Sequence, residues 1–407
     1  MDDRRTEKLR QIAVFAAIGV ASAYGSYLEL MFRAHAWILN ASGRPRVTNF
    51  LMFWLSGASA LKGSARAAYN PDLLHAAQEA AVGYKFSHYL LWNYPPHFFF
   101  LAGALAALPF LPAFLTWIAA TLACYAAAMA CAARSRIAAL VGCAAPAVFI
   151  NAISGENGCL TAALLAAFLL LLEEHPLISG IALGLLTIKP HLGILVPIVL
   201  AATGRWRTLA SAFATAVACL IASAFVFGIG AVQDFVSSLP AASRYVLLDG
   251  TNGWHNIQSV YGLARWLGVD NRAALLAQGG VATAAVLAVI WLWRQPLPSP
   301  IKAAALALSS LLASPYLYIY DFVVLSIPLA LLYRHRPFDR TELAAVVVAN
   351  LCVGAFLFLP TPIGLAGAAV VGVIIARRAA RVLFGSTAAL LQERGSSHRS
   401  EAFAQLP

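Results

Sequence analysis

Between Ile137 and Gly204 the only charged residues are Glu156, Glu173, Glu174 and Lys189; the rest is almost wholly apolar. A bilayer crossing takes about 20 apolar residues as a helix, so this stretch alone holds about three crossings. In lipid every backbone polar group must be satisfied internally, which leaves helices or a closed barrel. A barrel would show alternating segments of about ten residues, whereas these runs are long and unbroken. Composition agrees: 61% of residues are hydrophobic and 11% charged, against about 25% charged in a soluble chain. Disorder, collagen, a coiled coil and a disulfide-stapled domain are excluded on the same grounds. The sequence therefore predicts an all-α polytopic membrane protein.

The net charge of +11 is no nucleic-acid signal, because the basic residues cluster at the ends of apolar runs, where they set orientation across the membrane. Arg4, Arg5, Lys8 and Arg10 precede the first run, Ile12 to Met31, which predicts a cytoplasmic N-terminus and a retained signal-anchor. Cys124, Cys131, Cys143, Cys159, Cys219 and Cys352 all sit in apolar stretches with no metal-ligand spacing, and read as small apolar fillers. No metal or cofactor is expected.

One membrane domain is expected over 1–385, with a loose cytoplasmic tail over 386–407. Two long outer loops interrupt it, at 32–97 and 229–272. The first holds six basic residues against Asp72 and Glu79, an excess that long translocated loops tolerate. Within it Phe50–Leu61 reads as an aromatic-rich interfacial helix. Pro71–Val82 reads as a second, capped by Asn70 and closed by Gly83. In the second loop Asn256–Leu267 has the spacing of an amphipathic helix. The apolar runs amount to about eleven to thirteen crossings. Phe98–Phe110 is the ambiguous one. If it spans, the Arg134/Arg136 turn lies outside. If it is re-entrant, that turn lies inside and the break at Lys189 must reverse the chain, which the charges favour.

Ionisable groups inside membranes are costly, and are candidates for function by default. Four places qualify: Tyr94-Pro95-Pro96-His97 at the end of the first loop; Gly155-Glu156-Asn157-Gly158 between two apolar runs; Lys189-Pro190-His191 within one; and Ser314-Pro315-Tyr316 to Tyr320-Asp321. Trp254-His255-Asn256-Ile257-Gln258-Ser259 adds polar groups from the second loop. Each has a structural alternative: a helix start, a tight turn, a snorkelling lysine, a buried pair of Asp321 with Lys189 or an arginine, and a solvated histidine.

In this order, these pieces resemble glycosyltransferase family 87, of the GT-C superfamily. The matching pieces are Asn49-Phe50 to Phe53-Trp54 with Tyr69-Asn70-Pro71; Tyr94-Pro95-Pro96; Gly155-Glu156-Asn157; Leu183-Gly184-Leu185 to Lys189-Pro190-His191; Gly204-Arg205-Trp206-Arg207; Asn256, Gln258-Ser259-Val260; and Ser314-Pro315-Tyr316 to Tyr320-Asp321. They cover roughly residues 45–330. The resemblance implies a GT-C helical bundle in a bacterial inner membrane. It implies transfer of a sugar, mannose in characterised relatives, from a polyprenyl-phosphate donor. The acceptor would be a lipid or glycan hydroxyl on the periplasmic face, and the anomeric centre would be inverted. The expected partners are membrane lipids, that donor and that acceptor.

In this family the general base looks like an Asp just before the Phe at position 50; here that residue is Asn49. A carboxamide has no basic lone pair and can only orient a hydroxyl. The family's Gly-Gln-Asn is Gly-Glu-Asn here, so Glu156 is a new acid. The catalytic candidates are therefore Asp321, Glu156 and Asn49. Candidates for holding substrate are Lys189, His191, Tyr94, Asn157, Trp54, His255, Gln258 and Tyr320. Lys189, Arg44, Arg46, Lys62 and Lys85 could neutralise a lipid phosphate, and Trp54, Tyr94 and Trp254 could stack on sugar. Two other functions fit the same residues: a non-catalytic relative that binds a lipid-linked glycan, and a lipid-linked sugar transporter.

Overall fold

A computed structural model describes residues 3–403, with side chains from Arg10 to Phe384; the tail from residue 386 has no described side chains and the expectation for it lies outside them. Among the described residues the protein is helical without strands, its only β pairings being single bridges, Leu39 with Pro45 and Ile257 with Tyr318.

Four helices are long and apolar enough to cross a membrane by themselves, and a bent pair makes up to five. These are α1 (Asp3–Arg33, apolar from Arg10), α5 (Phe110–Ala133), α12 (Trp206–Phe227) and α15 (Asn271–Arg294), with α6 (Arg136–Cys143) and α7 (Pro146–Ser154) bent by 55° at their junction. Pro146 sits at the first turn of α7; it cannot continue the preceding helix. Shorter apolar helices fill the bundle between them: α8 (Gly158–Leu171), α9 (Pro176–Leu185), α10 (Pro190–Gly193) with α11 (Val196–Ala202) and α16 (Ser299–Leu312); α17 (Ser326–His335), α18 (Arg340–Ala355) and the long α19 (Gly364–Phe403) follow.

The first loop folds as expected in one part and differently in another. Helix α3 runs Pro71–Val82; Asn70 caps it through bonds from the Asp72 and Leu73 amides, and Gly83 closes it in the left-handed conformation. Helix α2 (Asn49–Leu61) does not lie flat on a surface. Phe50, Leu51, Met52 and Phe53 are buried, and it packs along α4 (Phe98–Ala106) so closely that a Cβ on Gly57 would sit 2.1 Å from the Ala102 carbonyl oxygen. In the second loop the helix forms late. Ile257 bridges to Tyr318 and Ser259 caps α14 (Val260–Trp266) through the Gly262 amide. The pairing and the cap together hold residues 256–259 out of the helix. Before it, α13 (Ile229–Ser243) leans on the first loop through a two-pronged Arg66–Asp234 pair at 2.7 and 3.2 Å.

The ambiguity about chain direction resolves. Helix α4 has nine residues, about 13 Å at 1.5 Å per residue, too short to cross. Helix α5 then starts beside the first loop, where Trp54 bonds the Leu108 carbonyl and Phe114 meets Phe50, and runs away from it to Arg134. Arg134 and Arg136 thus lie at the opposite end from Asn49. The same end holds the Arg205–Glu173 pair at 2.6 Å and the Arg378–Glu342 pair at 2.7 Å. Helices α9 and α12 run parallel, Gly180 against Ser211 and Gly184 against Thr215. A return pass must separate them, and residues 190–202 supply it: the chain does reverse at Lys189.

Candidate active site

Buried Glu156, Lys189 and Asp321 meet in one cluster at the loop end. It is built on the turn between α7 and α8. Gly155 takes φ +71°, and a Cβ there would sit 2.6 Å from the Phe50 Cβ; only glycine fits both the conformation and the space. The turn is pinned on three sides. Trp117 Nε1 donates to the Gly155 carbonyl at 3.0 Å, Trp37 Nε1 to the Ile153 carbonyl at 3.0 Å, and the Gly158 amide to Asn151 Oδ1 at 2.7 Å. These bonds aim Glu156 and Asn157 inward, and both are buried.

Glu156 collects donors. Asn49 Nδ2, at the start of α2, donates to its Oε1 at 2.8 Å. The Asn157 amide donates to Oε2 at 3.2 Å, and the Tyr94 hydroxyl lies 3.4 Å from the same oxygen. Lys189 Nζ stands 3.9 Å from Oε2 and 2.5 Å from Asp321 Oδ1. The break at Pro190 ends the preceding helical stretch at Lys189 and leaves its ammonium facing the bundle interior rather than lipid. Asp321 Oδ2 accepts the Tyr318 amide at 3.0 Å. Tyr320 places its ring 4.7 Å from the ammonium and stacks on Tyr318 at 5.4 Å, a cation–π contact that desolvation strengthens. Gly158 allows this segment to close in, since a Cβ on it would be 2.4 Å from the Tyr320 carbonyl oxygen.

Two carboxylates therefore share one ammonium. Asp321 is the tightly paired one, with an oxygen on Lys189 and the other on a backbone amide. Glu156 is held mainly by a neutral carboxamide. Beside it both side-chain atoms of Asn157, which is fully buried, lack a partner, as does His191 Nε2. Unpaired buried polar atoms cost stability. On the outer side of Asn49 a cavity of about 340 Å³ opens, lined by Trp37, Arg46, Thr48 and Ser154 among others; the Thr48 hydroxyl in it is also unpaired.

The structure thus brings together Asn49, Tyr94, Glu156, Asn157, Lys189, Tyr320 and Asp321. His191, two residues after Lys189, stays near this group with its ring 6.3 Å from that of Tyr316; Trp54, Gln258 and His255 are placed elsewhere. Trp54 points along α2 to the Leu108 carbonyl at 3.0 Å and against Phe110. Gln258 is fully buried and spends its side chain on the His255 and Thr361 carbonyls and the Gly364 amide; it clasps the second loop to the start of α19. His255 sits half-buried in the short turn Trp254–Asn256, and Trp254 packs under the Arg265 guanidinium at 4.2 Å. Lys62 ends α2, opposite Asn49, and Arg44 packs on Gly83; of the loop cations offered for phosphate, Arg46 lines the cavity beside Asn49. Sequence reading missed Tyr318, whose amide caps Asp321, and Asn151, which holds the turn. Asn151 did carry a signal, as a lone carboxamide deep in an apolar run.

The sequence model of glycosyltransferase family 87 matches residues 92–315, more than half of the chain. Neither a curated protein nor a solved structure matches it.

Proposed function

Because the chain belongs to glycosyltransferase family 87, we propose that it is a membrane glycosyltransferase whose general base is Glu156. In this reading a polyprenyl-phosphate sugar, mannose by resemblance, is the donor, and a lipid or glycan hydroxyl on the periplasmic face is the acceptor. The observation that carries it is the 2.8 Å bond from Asn49 to Glu156. The position where the resemblance expects a carboxylate carries its amide, and the carboxylate stands directly across a hydrogen bond from it. The base is displaced by one side chain and not lost.

The step balances as follows. Glu156 takes the acceptor's hydroxyl proton while the hydroxyl oxygen bonds to the anomeric carbon. The bond from that carbon to the phosphate oxygen breaks, and its electron pair leaves on the phosphate. Attack from the face opposite the leaving group inverts the centre. Asn49 orients Glu156, and Lys189 limits the charge of the acid pair. Arg46, in the cavity beside Asn49, is placed to meet a lipid phosphate; a guanidinium can engage it through two bonds. No metal is needed for a leaving group neutralised in this way. The concentration of Arg134, Arg136, Arg294, Arg334, Arg336 and Arg377 at the end opposite the site supports an outward-facing site in the bacterial inner membrane.

The test is transfer of radiolabelled mannose from polyprenyl-phosphate mannose in reconstituted vesicles, with a total lipid extract as acceptor. Wild type transfers and Glu156→Gln falls by about 10²–10⁴-fold, the usual worth of a positioned base. Equal transfer by Glu156→Gln removes Glu156 from that role. Silence from wild type favours the reading of a relative that binds lipid-linked glycan without transfer.

A further inference from the structure

A second cavity, of about 390 Å³, lies between the two outer loops; Tyr69, Asp72, Tyr89, Trp92, Asn93 and Tyr245 are among its walls. One wall belongs to the first loop and the other to α13 and the turn after it, so the cavity exists only where the loops dock. The Arg66–Asp234 pair holds them together. The turn carrying Tyr245, Arg244–Leu248, is π-helical, a form that costs regular bonding and recurs at functional sites. Tyr245 is fixed by the Tyr89 backbone, its hydroxyl accepting the amide at 3.1 Å and donating to the carbonyl at 3.3 Å. The Tyr89 hydroxyl donates to Asp72 Oδ1 at 3.1 Å.

The cavity is separated from the acid cluster by Tyr69 and Trp92, which line it and touch Tyr94. Tyr69 donates to the Tyr94 carbonyl at 2.8 Å, and the Trp92 ring lies 5.2 Å from the Tyr94 ring; the hydroxyl of that same Tyr94 reaches Glu156. Its chemistry differs from that of the cavity beside Asn49. No lysine or arginine is among its described lining residues, and Asp72 is, so it disfavours a phosphate. Aromatic rings offer flat apolar faces to the C–H side of a pyranose, while a carboxylate and a carboxamide bond its hydroxyls. A cleft of this size suits a small ligand held by a few placed polar groups.

We infer that this cavity is the acceptor subsite, and that it holds a neutral glycosyl group of the acceptor on the far side of Trp92 and Tyr94 from Glu156. The inference rests on the transferase reading for the word acceptor; glycosyl binding itself does not need transfer. It also separates the two ligands by charge: the anionic donor end beside Arg46, the neutral sugar between the loops.

The test uses the full chain in lipid nanodiscs and octyl α-mannoside as probe, below its micellar range. Saturation transfer to the sugar-ring protons is read by NMR, with octanol as the control for alkyl partition. Wild type binds the sugar. Ala242→Trp, which fills the cavity from α13, raises the apparent dissociation constant more than tenfold. Asp72→Asn, at an exposed position, raises it about 2- to 10-fold, the worth of one hydrogen bond, and covers the case in which Ala242→Trp fails to fold. Octyl phosphate does not compete. No sugar binding by wild type, unchanged binding in both cavity variants, or competition by octyl phosphate each overturns the inference. Sugar binding without any transfer sustains it and removes the transferase reading instead.

Discussion

The carboxamide of Asn49 donates to the carboxylate of Glu156 across 2.8 Å, joining residues 107 positions apart. The pair is an amide and an acid in one buried contact. Its chemistry depends on which partner carries the charge, and the surroundings favour 156: the Asn157 amide, the Tyr94 hydroxyl and Lys189 all approach Glu156.

Exchange of the two groups follows as a prediction. Asn49→Asp alone sets two carboxylates against each other and forces one to hold a proton. Asn49→Asp with Glu156→Gln restores one acid and one amide. Transfer by the double variant should exceed that of Glu156→Gln by at least about tenfold, within the range a positioned base supplies. A double variant as silent as the single one would mean that position 49 cannot reach the acceptor.

Lys189 is the sole ammonium described between Glu156 and Asp321. Lys189→Ala strands two buried acids, a change that costs about 3–5 kcal/mol for a broken buried pair. Lys189→Met with Asp321→Asn should recover the larger part, that of the 2.5 Å pair, because both its members are then neutral, while Glu156 keeps its bonds from Asn49 and the Asn157 amide. Thermal unfolding of the purified protein in one detergent compares the three, and a double variant no more stable than Lys189→Ala counts against charge as the cause.

Gly155→Ala should both destabilise and silence the protein. Its φ of +71° and the 2.6 Å approach to Phe50 combine strain with overpacking, each worth about 1–3 kcal/mol. Glu156 is the next residue, so any relief moves the base. Unfolding temperature and transfer measured together should fall together; Gly43→Ala, at a like φ of +70° but where a Cβ meets nothing within 4 Å, should carry the backbone strain alone and leave transfer intact.

The far end carries a pH signature. The Thr341 hydroxyl and the Glu342 amide, joined by Arg381 and Arg377, hold the Asp339 carboxyl below its ordinary value. Acids depressed on folding stabilise above their unfolded values and lose that contribution as pH falls through the folded ones. Unfolding temperature should therefore drop as pH falls below about 4, near the unfolded value of Asp. Asp339→Asn should flatten part of that drop; an unchanged slope would assign it to other groups.

Much of the frame was legible. Asn70-Pro71 and Gly83 bound a helix because a cap, a first-turn proline and a left-handed closing glycine are local devices. The break at Lys189-Pro190 was visible because proline cannot extend a helix. Helix α2 was read as lying on a surface, since its Phe and Leu residues are apolar all the same whether they face lipid or α4. Gln258 was read as a ligand group because a polar loop residue looks the same whether its amide is free or spent on the Thr361 carbonyl and the Gly364 amide.

By itself the sequence determined the membrane setting, the helix ends and the places where polar groups had to be buried, because hydropathy, proline and glycine act within a few residues. Tertiary structure alone decided who meets whom. The sequence offered Asp321 either Lys189 or an arginine; that it takes Lys189, 132 positions away, and that Glu156 takes Asn49, follow from how the helices pack. Desolvation demands a partner for every buried charge, and leaves the choice of that partner to the fold.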